Sequence, residues 1–147
     1  MKKHLLLVIL VLALVLSACG AKIKSYVYEI EEEGIKLILT LEAQDDKVLK
    51  QSNKGIVDFF VLDLESREEA EALYGSISEQ LSGIEGLDFT LEFTDESIIE
   101  NLVIDFSKIS PEDLKDIVNN MDDWDGGDVS LEALGKSLEE AGYTLVE

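Results

Sequence analysis

The sequence predicts an α+β domain on an antiparallel β-sheet, with elements in the order βββ-α-ββ-α-α-β and the helices packed on one face. Three observations lead there. Apolar residues alternate with polar ones over several stretches parted by short acidic turns, the period of half-buried strands. Helix-start signatures fall between runs of strands rather than after every strand. No GxGxxG, no Walker-type glycine loop and no repeat of solenoid length is present. The full chain of 147 residues has room for one domain with a real core.

The first strands come in a row. Tyr26, Tyr28 and Ile30 alternate with smaller or polar neighbours, and Glu31-Glu32-Glu33-Gly34 makes a turn. Ile35, Leu37, Leu39 and Leu41 alternate next, ahead of a second turn at Gln44-Asp45-Asp46. Val48 to Phe60 is extended again, with Gly55 as the expected bulge or break, which completes a three-strand meander. Ser66-Arg67-Glu68-Glu69 reads as a capping box. Behind it Ala70, Leu73, Tyr74, Ile77 and Leu81 share one face of a single helix that Gly83 ends. Leu87, Phe89, Leu91 and Phe93 form a strand whose hairpin partner runs from Ile98 to Phe106. Ser110-Pro111-Glu112-Asp113 starts another helix, with a serine cap, Pro at the first position and acids favoured by the dipole. Leu114, Ile117, Val118 and Met121 line its buried side. A last helix carries Leu131, Leu134, Leu138 and Ala141, stops at Gly142 and leads into a short strand, Tyr143 to Val146.

Residues 1–18 are expected to be a signal peptide. Lys2 and Lys3 precede an unbroken apolar run from Leu5 to Leu16, followed by Ser17, Ala18 and Cys19. A run of twelve is too short for a membrane span, which needs about 20 residues, and suits the core of an export leader. Leu16-Ser17-Ala18-Cys19-Gly20 resembles the bacterial lipobox. That resemblance implies cleavage before Cys19 and acylation of its thiol. Each buried methylene of such chains is worth about 0.8 kcal/mol. Residues 19–22 are then a short tether, spanning roughly 15 Å, and residues 23–147 a single domain above the lipid. Lys22 and Lys24, beside the anchor, could face anionic headgroups.

Charge and composition narrow the function. Losing Lys2 and Lys3 with the leader lowers the basic count from 12 to 10 against 32 acidic side chains, so the formal charge moves from −20 to −22. Nucleic acid is not an expected partner, because a polyphosphate needs clustered cations. Cys19 is the one cysteine, so no internal disulfide and no cysteine zinc cage can form. His4 is the one histidine and leaves with the leader. Without imidazole there is no Ser-His-Asp or Cys-His system and no histidine-bound metal.

Asp46-Lys47-Val48-Leu49-Lys50-Gln51-Ser52, Glu100-Asn101-Leu102-Val103-Ile104-Asp105-Phe106 with Ser107-Lys108-Ile109, and Ala141-Gly142-Tyr143 together carry a family pattern. They resemble segments of the YehR-like family of small bacterial lipoproteins. The resemblance implies a compact α+β domain and a lipoprotein address. It implies no activity and no site residues, and the Trp124 loop does not match the family pattern.

Four groups of residues are candidate sites. Asp123, Asp125, Asp128 and Glu132, close to Asp122, are dense enough in oxygen to suggest Ca²⁺. The EF-hand register fails, since Gly126 at the turn position puts Met121 at the first ligand and Asp128 in the apolar slot. The simpler reading is a solvated loop in which Asp128 or Ser130 caps the last helix. Trp124 could stack on a sugar or a partner, or fold back over the core. Lys47, Lys50 and Lys54 form the least acidic stretch. They could receive an anionic group or an acidic patch, or guard the edge of a strand against unwanted pairing. Glu29 and Glu42, if opposed across the first hairpin, would be the minimal carboxylate pair of a glycosidase.

The expected function is thus a lipoprotein anchored through Cys19 to the extracytoplasmic face of a bacterial cell membrane. No enzyme activity and no cofactor beyond the covalent lipid are expected. Its domain is a binding or interaction module for an unknown envelope protein or small ligand. A Ca²⁺-binding lipoprotein and a carboxylate-dependent hydrolase are the alternatives.

Overall fold

Side-chain parity in five long strands decides where everything else packs. The computed structural model describes residues 21–117 and 126–146. Strands β1 (Ile23–Glu32), β2 (Ile35–Gln44) and β3 (Lys47–Asp58) form the expected antiparallel meander. β4 (Leu87–Phe93) and β5 (Ser97–Asp105) form the expected hairpin, and β5 docks on β3. Two short strands, β6 (Val129–Ser130) and β7 (Thr144–Leu145), pair with β3 and β1. The sheet order is β4-β5-β3-β2-β1-β7, with β6 beside the start of β3.

One row of partners crosses the sheet through Tyr28, Leu39, Asn53, Leu102 and Phe89. The next parallel rows run through Tyr26, Leu41, Gln51, Ile104 and Leu87, and through Ile30, Leu37, Gly55, Glu100 and Leu91. Successive strand residues point to opposite faces, so these rows define one inner face, and the helices lie there. They are α1 (Arg67–Tyr74), α2 (Ile77–Gln80), α3 (Pro111–Ile117) and α4 (Leu131–Glu140). The α+β fold with helices on one face is therefore as the alternation predicts.

The core divides into three clusters. Tyr28, Leu39, Leu41, Ala43 and Val48 pack with Leu138 of α4. Phe59, Leu64 and Ile98 pack with Ala70 of α1. Leu102, Ile104 and Ile109 pack with Leu114 of α3. Leu41, Ile104, Leu114 and Val48 are fully buried, and burying each such side chain is worth about 1.5–3 kcal/mol. α4 approaches β1 so closely that a Cβ at Gly135 would lie 2.6 Å from Tyr28 Oη. An alanine there would have to displace the Tyr28 hydroxyl, which offsets the roughly 1 kcal/mol that a helical glycine costs against alanine.

Several local expectations are corrected. The region after Ser66 is two helices, broken at Gly75 and Ser76, and the second ends at Gln80, ahead of Gly83. Leu73 is 58 % exposed, so it is not on the buried face. The bulge in β3 is at Leu49, where Glu42 pairs with Lys50 and Ala43 with Val48, while Gly55 sits unbroken in mid-strand. Phe59–Leu62 is a 3-10 turn rather than strand. β6 was not expected at all. Val118 and Met121 lie outside the described residues.

The helix starts are where the caps put them. Ser66 Oγ accepts from Glu69 N at 3.2 Å, while Glu69 Oε2 accepts from Glu65 N at 2.9 Å, one residue before the usual capping-box partner. Ser110 Oγ accepts from Asp113 N at 3.1 Å. Ser130 Oγ accepts from Ala133 N at 3.2 Å and donates to Asp46 Oδ2 at 2.8 Å. Asp46, in the β2–β3 turn, also accepts from Glu132 N at 2.9 Å and, through its carbonyl, from Leu131 N at 2.8 Å. One turn residue thus clasps a helix end more than eighty positions away and satisfies donors that would otherwise be orphaned.

Replacing Ser130 by Ala should cost about 0.5–2 kcal/mol, the usual value of a helix N-cap. Asp46→Ala should also lower Tm, and the double variant should lose less than the sum because both act on one helix end. The Glu132 backbone N–H, then the Ser130 hydroxyl, hold the Asp46 carboxyl below the ordinary carboxylate range. Its contribution is therefore complete above the unfolded value of about 3.9 and is lost as pH falls through the lower folded value. Thermal melts of the four proteins from neutral to strongly acidic pH check both statements.

Candidate functional site

The gap between two of the core clusters is a cavity. Along β5, Ile98 belongs to the cluster under α1, and Leu102 to the cluster under α3. Glu100 lies between them on the same face, opposite Gly55 of β3 and Leu91 of β4. Around it is a hollow of about 380 Å³, within the range of small-molecule sites. β3, β4 and β5 make the floor with Val57, Phe89, Leu91, Ile98 and Leu102, and Leu62 closes one end. Tyr74 of α1, Ile77 of α2, Leu81 just beyond it, and Ile117 of α3 make the walls.

Glu100 is the one charged residue in that lining. Gly55, opposite it on β3, leaves that side open, and a Cβ there would press on Leu37 Cδ2 at 3.3 Å while meeting Glu100 Cβ only at an ordinary 3.8 Å. The carboxyl can be reached from solvent, yet the apolar atoms around it push its pKa above the ordinary Glu range. Among the described residues no hydrogen bond or ion pair compensates it. A solvent-reachable carboxylate at the mouth of an apolar hollow, with its pKa raised by partial desolvation, marks a functional candidate.

Sequence reasoning did not single out Glu100. Its signal was present, since Ile98, Glu100, Leu102 and Ile104 are in phase, with a charge where the pattern asks for an apolar residue. Ile99 and Val103 on the other face blur that phase.

The residues singled out from sequence fall elsewhere. Lys47, Lys50 and Lys54 share the outer face of β3, because the bulge at Leu49 restores Lys47 to the parity of the other two. β3 lies between β2 and β5, so these lysines do not guard a sheet edge. Lys47 Nζ is 2.6 Å from Asp128 Oδ1, which ties a member of the basic stretch to a member of the acidic loop. Lys50 stands between Glu42 and Asp105, and Lys54 between Ile38 and Asn101. Glu29 pairs with Ile38 and Glu42 with Ser25, so register separates the carboxylates expected to oppose each other. Of the two cap candidates, Ser130 caps α4 and Asp128 does not. Glu132 is exposed on the first turn of α4. Cys19, Asp122, Asp123, Trp124 and Asp125 lie outside the described residues. Among the described residues, no three metal-ligating side chains gather, and no helix is long and apolar enough to cross a membrane.

Comparison with known proteins gives the family. Residues 24–144 match the family model described as protein of unknown function, DUF1307. The uncharacterised lipoprotein Lmo0207 of Listeria monocytogenes is 33% identical over 138 residues, covering 93% of this chain and 90% of that protein. The uncharacterised lipoprotein YehR of Escherichia coli is 30% identical over 141 residues, covering 96% of this chain and 88% of its own. The NMR structure of E. coli YehR superposes with a TM-score of 0.71 at 23% identity, over 86% of this chain and 93% of that one. An NMR structure of a Streptococcus pneumoniae protein gives 0.55 at 12% identity, over 85% and 86% of the two chains. The expected kinship with YehR-like lipoproteins therefore holds, and the chain belongs to the DUF1307 family of proteins of unknown function.

Proposed function

We propose that the protein is a lipid-anchored, non-catalytic binding module on the extracytoplasmic face of a bacterial membrane, with the cavity above β5 as its ligand site. The observation that carries this reading is the cavity itself, an apolar hollow of small-molecule size with one convergent charged group. The lipobox supports the address, and the kinship with lipoproteins supports the anchor. Ala21 O accepts from Gln44 Nε2 at 3.0 Å, so the chain joins the sheet two residues beyond Cys19. On this reading the β2–β3 turn faces the lipid, and the cavity, reaching toward Val57 and Ile98 at the far end of the strands, is turned away from it.

A carboxylate hydrolase needs a second acid close to the first. The cavity lining supplies Glu100 alone, which favours binding over that chemistry. A Ca²⁺ site would have to draw on Asp128, which already neutralises Lys47.

The neutral apolar dye N-phenyl-1-naphthylamine should bind the unacylated chain saturably with a rise in fluorescence. Leu91→Trp, which fills the hollow, should weaken that binding by about tenfold or more. Leu134→Trp, on α4 and away from the hollow, should leave it unchanged. A dye signal that does not saturate, or one lost with Leu134→Trp and kept with Leu91→Trp, contradicts the assignment of the site. For the anchor, Cys19→Ala should move the protein out of the membrane fraction of cells or leave it with its leader uncleaved. Full retention of a cleaved Cys19→Ala chain would reject lipid attachment at that residue.

A further inference from the structure

We propose that the cavity selects an amphiphilic organic cation, whose ammonium group sits on Glu100 and whose hydrocarbon body fills the hollow. This rests on the cavity being the ligand site and adds the chemical class of the ligand. Four features on the page carry it. Glu100 is the one charged group in a lining otherwise made of aliphatic and aromatic side chains. No cation of the protein's own neutralises it among the described residues, and its carboxyl is open to a ligand arriving from solvent. Gly55 and Leu91 on either side leave its flanks clear of polar side chains, so a bound cation would complete the site rather than compete with it. Tyr74 and Phe89 add aromatic rings to the same hollow, and ring faces attract ammonium groups.

The cost of the arrangement argues in the same direction. A Leu at position 100 would join the clusters under α1 and α3 into one core, and the chain instead keeps a carboxylate there. Its own field adds to the choice. With a formal charge of −20, the chain concentrates cations around itself and repels anionic amphiphiles, including fatty acids. An ammonium seated against a carboxylate in apolar surroundings makes a charge-assisted hydrogen bond, roughly twice as strong as a neutral one. A neutral alcohol of the same length keeps the apolar contacts and loses that term.

The test uses octylammonium, 1-octanol and octanoate as competitors for the dye on the unacylated chain and on Glu100→Gln. The unchanged chain should bind octylammonium at least about tenfold more tightly than octanol, and octanoate more weakly than either. Glu100→Gln should bring octylammonium and octanol to within about twofold of each other while octanol binding stays as it was. Melts check that this variant is folded. Because the folded state opposes ionisation of Glu100, Glu100→Gln should melt higher than its parent above the raised carboxyl pKa, with the gain fading in acid. Equal binding of octylammonium and octanol to the unchanged chain would overturn the cation inference and leave the apolar site standing. Failure of all three to displace the dye would remove both.

Discussion

The architecture depends on an inner sheet face that its described helices cover only in part. Ten-residue strands such as β1 and β2 run about 33 Å. α2 has four residues, on the order of 6 Å of helix. The middle strand reinforces the shortfall, because its inward residues are Gln51, Asn53 and Gly55, and Gln51 Nε2 donates to Asn53 Oδ1 at 3.0 Å. These side chains put a polar strip between the cluster under α4 and the two beyond β3, which Phe106 bridges by packing against both the α4 and the α3 clusters. Three clusters follow where one continuous core is the norm. The hollow around Glu100 is what is left between two of them.

The remaining contacts hold the pieces to this frame. α4 touches the sheet through Leu138 and Tyr28, but its N-terminus is placed by Asp46, a residue of a surface turn. Lys47 and Asp128 join the same two segments with an ion pair, of little energetic weight because both ends are solvent-exposed. The clasp, not the ion pair, fixes the helix. It also shares the end of the sheet where Ala21 meets Gln44, so the domain is tied at the pole where the described chain begins. The hollow around Glu100 lies toward the other pole.

Much of this was legible in the sequence, and the parts that were not have identifiable causes. Alternation placed the five long strands, and the serines at 66, 110 and 130 placed three helix starts. The single helix expected over Ala70 to Leu81 failed because three-and-four spacing persists across Gly75, where the backbone breaks. The bulge expected at Gly55 is at Leu49 instead, since a bulge is set by pairing between strands, which one strand's residues do not reveal. The same long-range origin hid Asp46, whose partners are across the chain, and misplaced Glu29 against Glu42 by register. Lysines on β3 suggested an edge, yet the later hairpin covers that strand. Glu100 escaped because a charge within a strand reads as outward-facing until the neighbouring strands fix its parity.

The central claim is that an apolar hollow, rather than packed core, lies around Glu100. Methyl NMR under xenon pressure measures this most directly, because xenon partitions into apolar hollows in preference to close-packed core. The account predicts saturating shifts at the methyl groups of Ile77, Leu91, Ile98 and Leu102, with those of Leu41, Val48 and Leu114 unmoved. Small shifts spread evenly over all these methyl groups, with none that saturates, would contradict it.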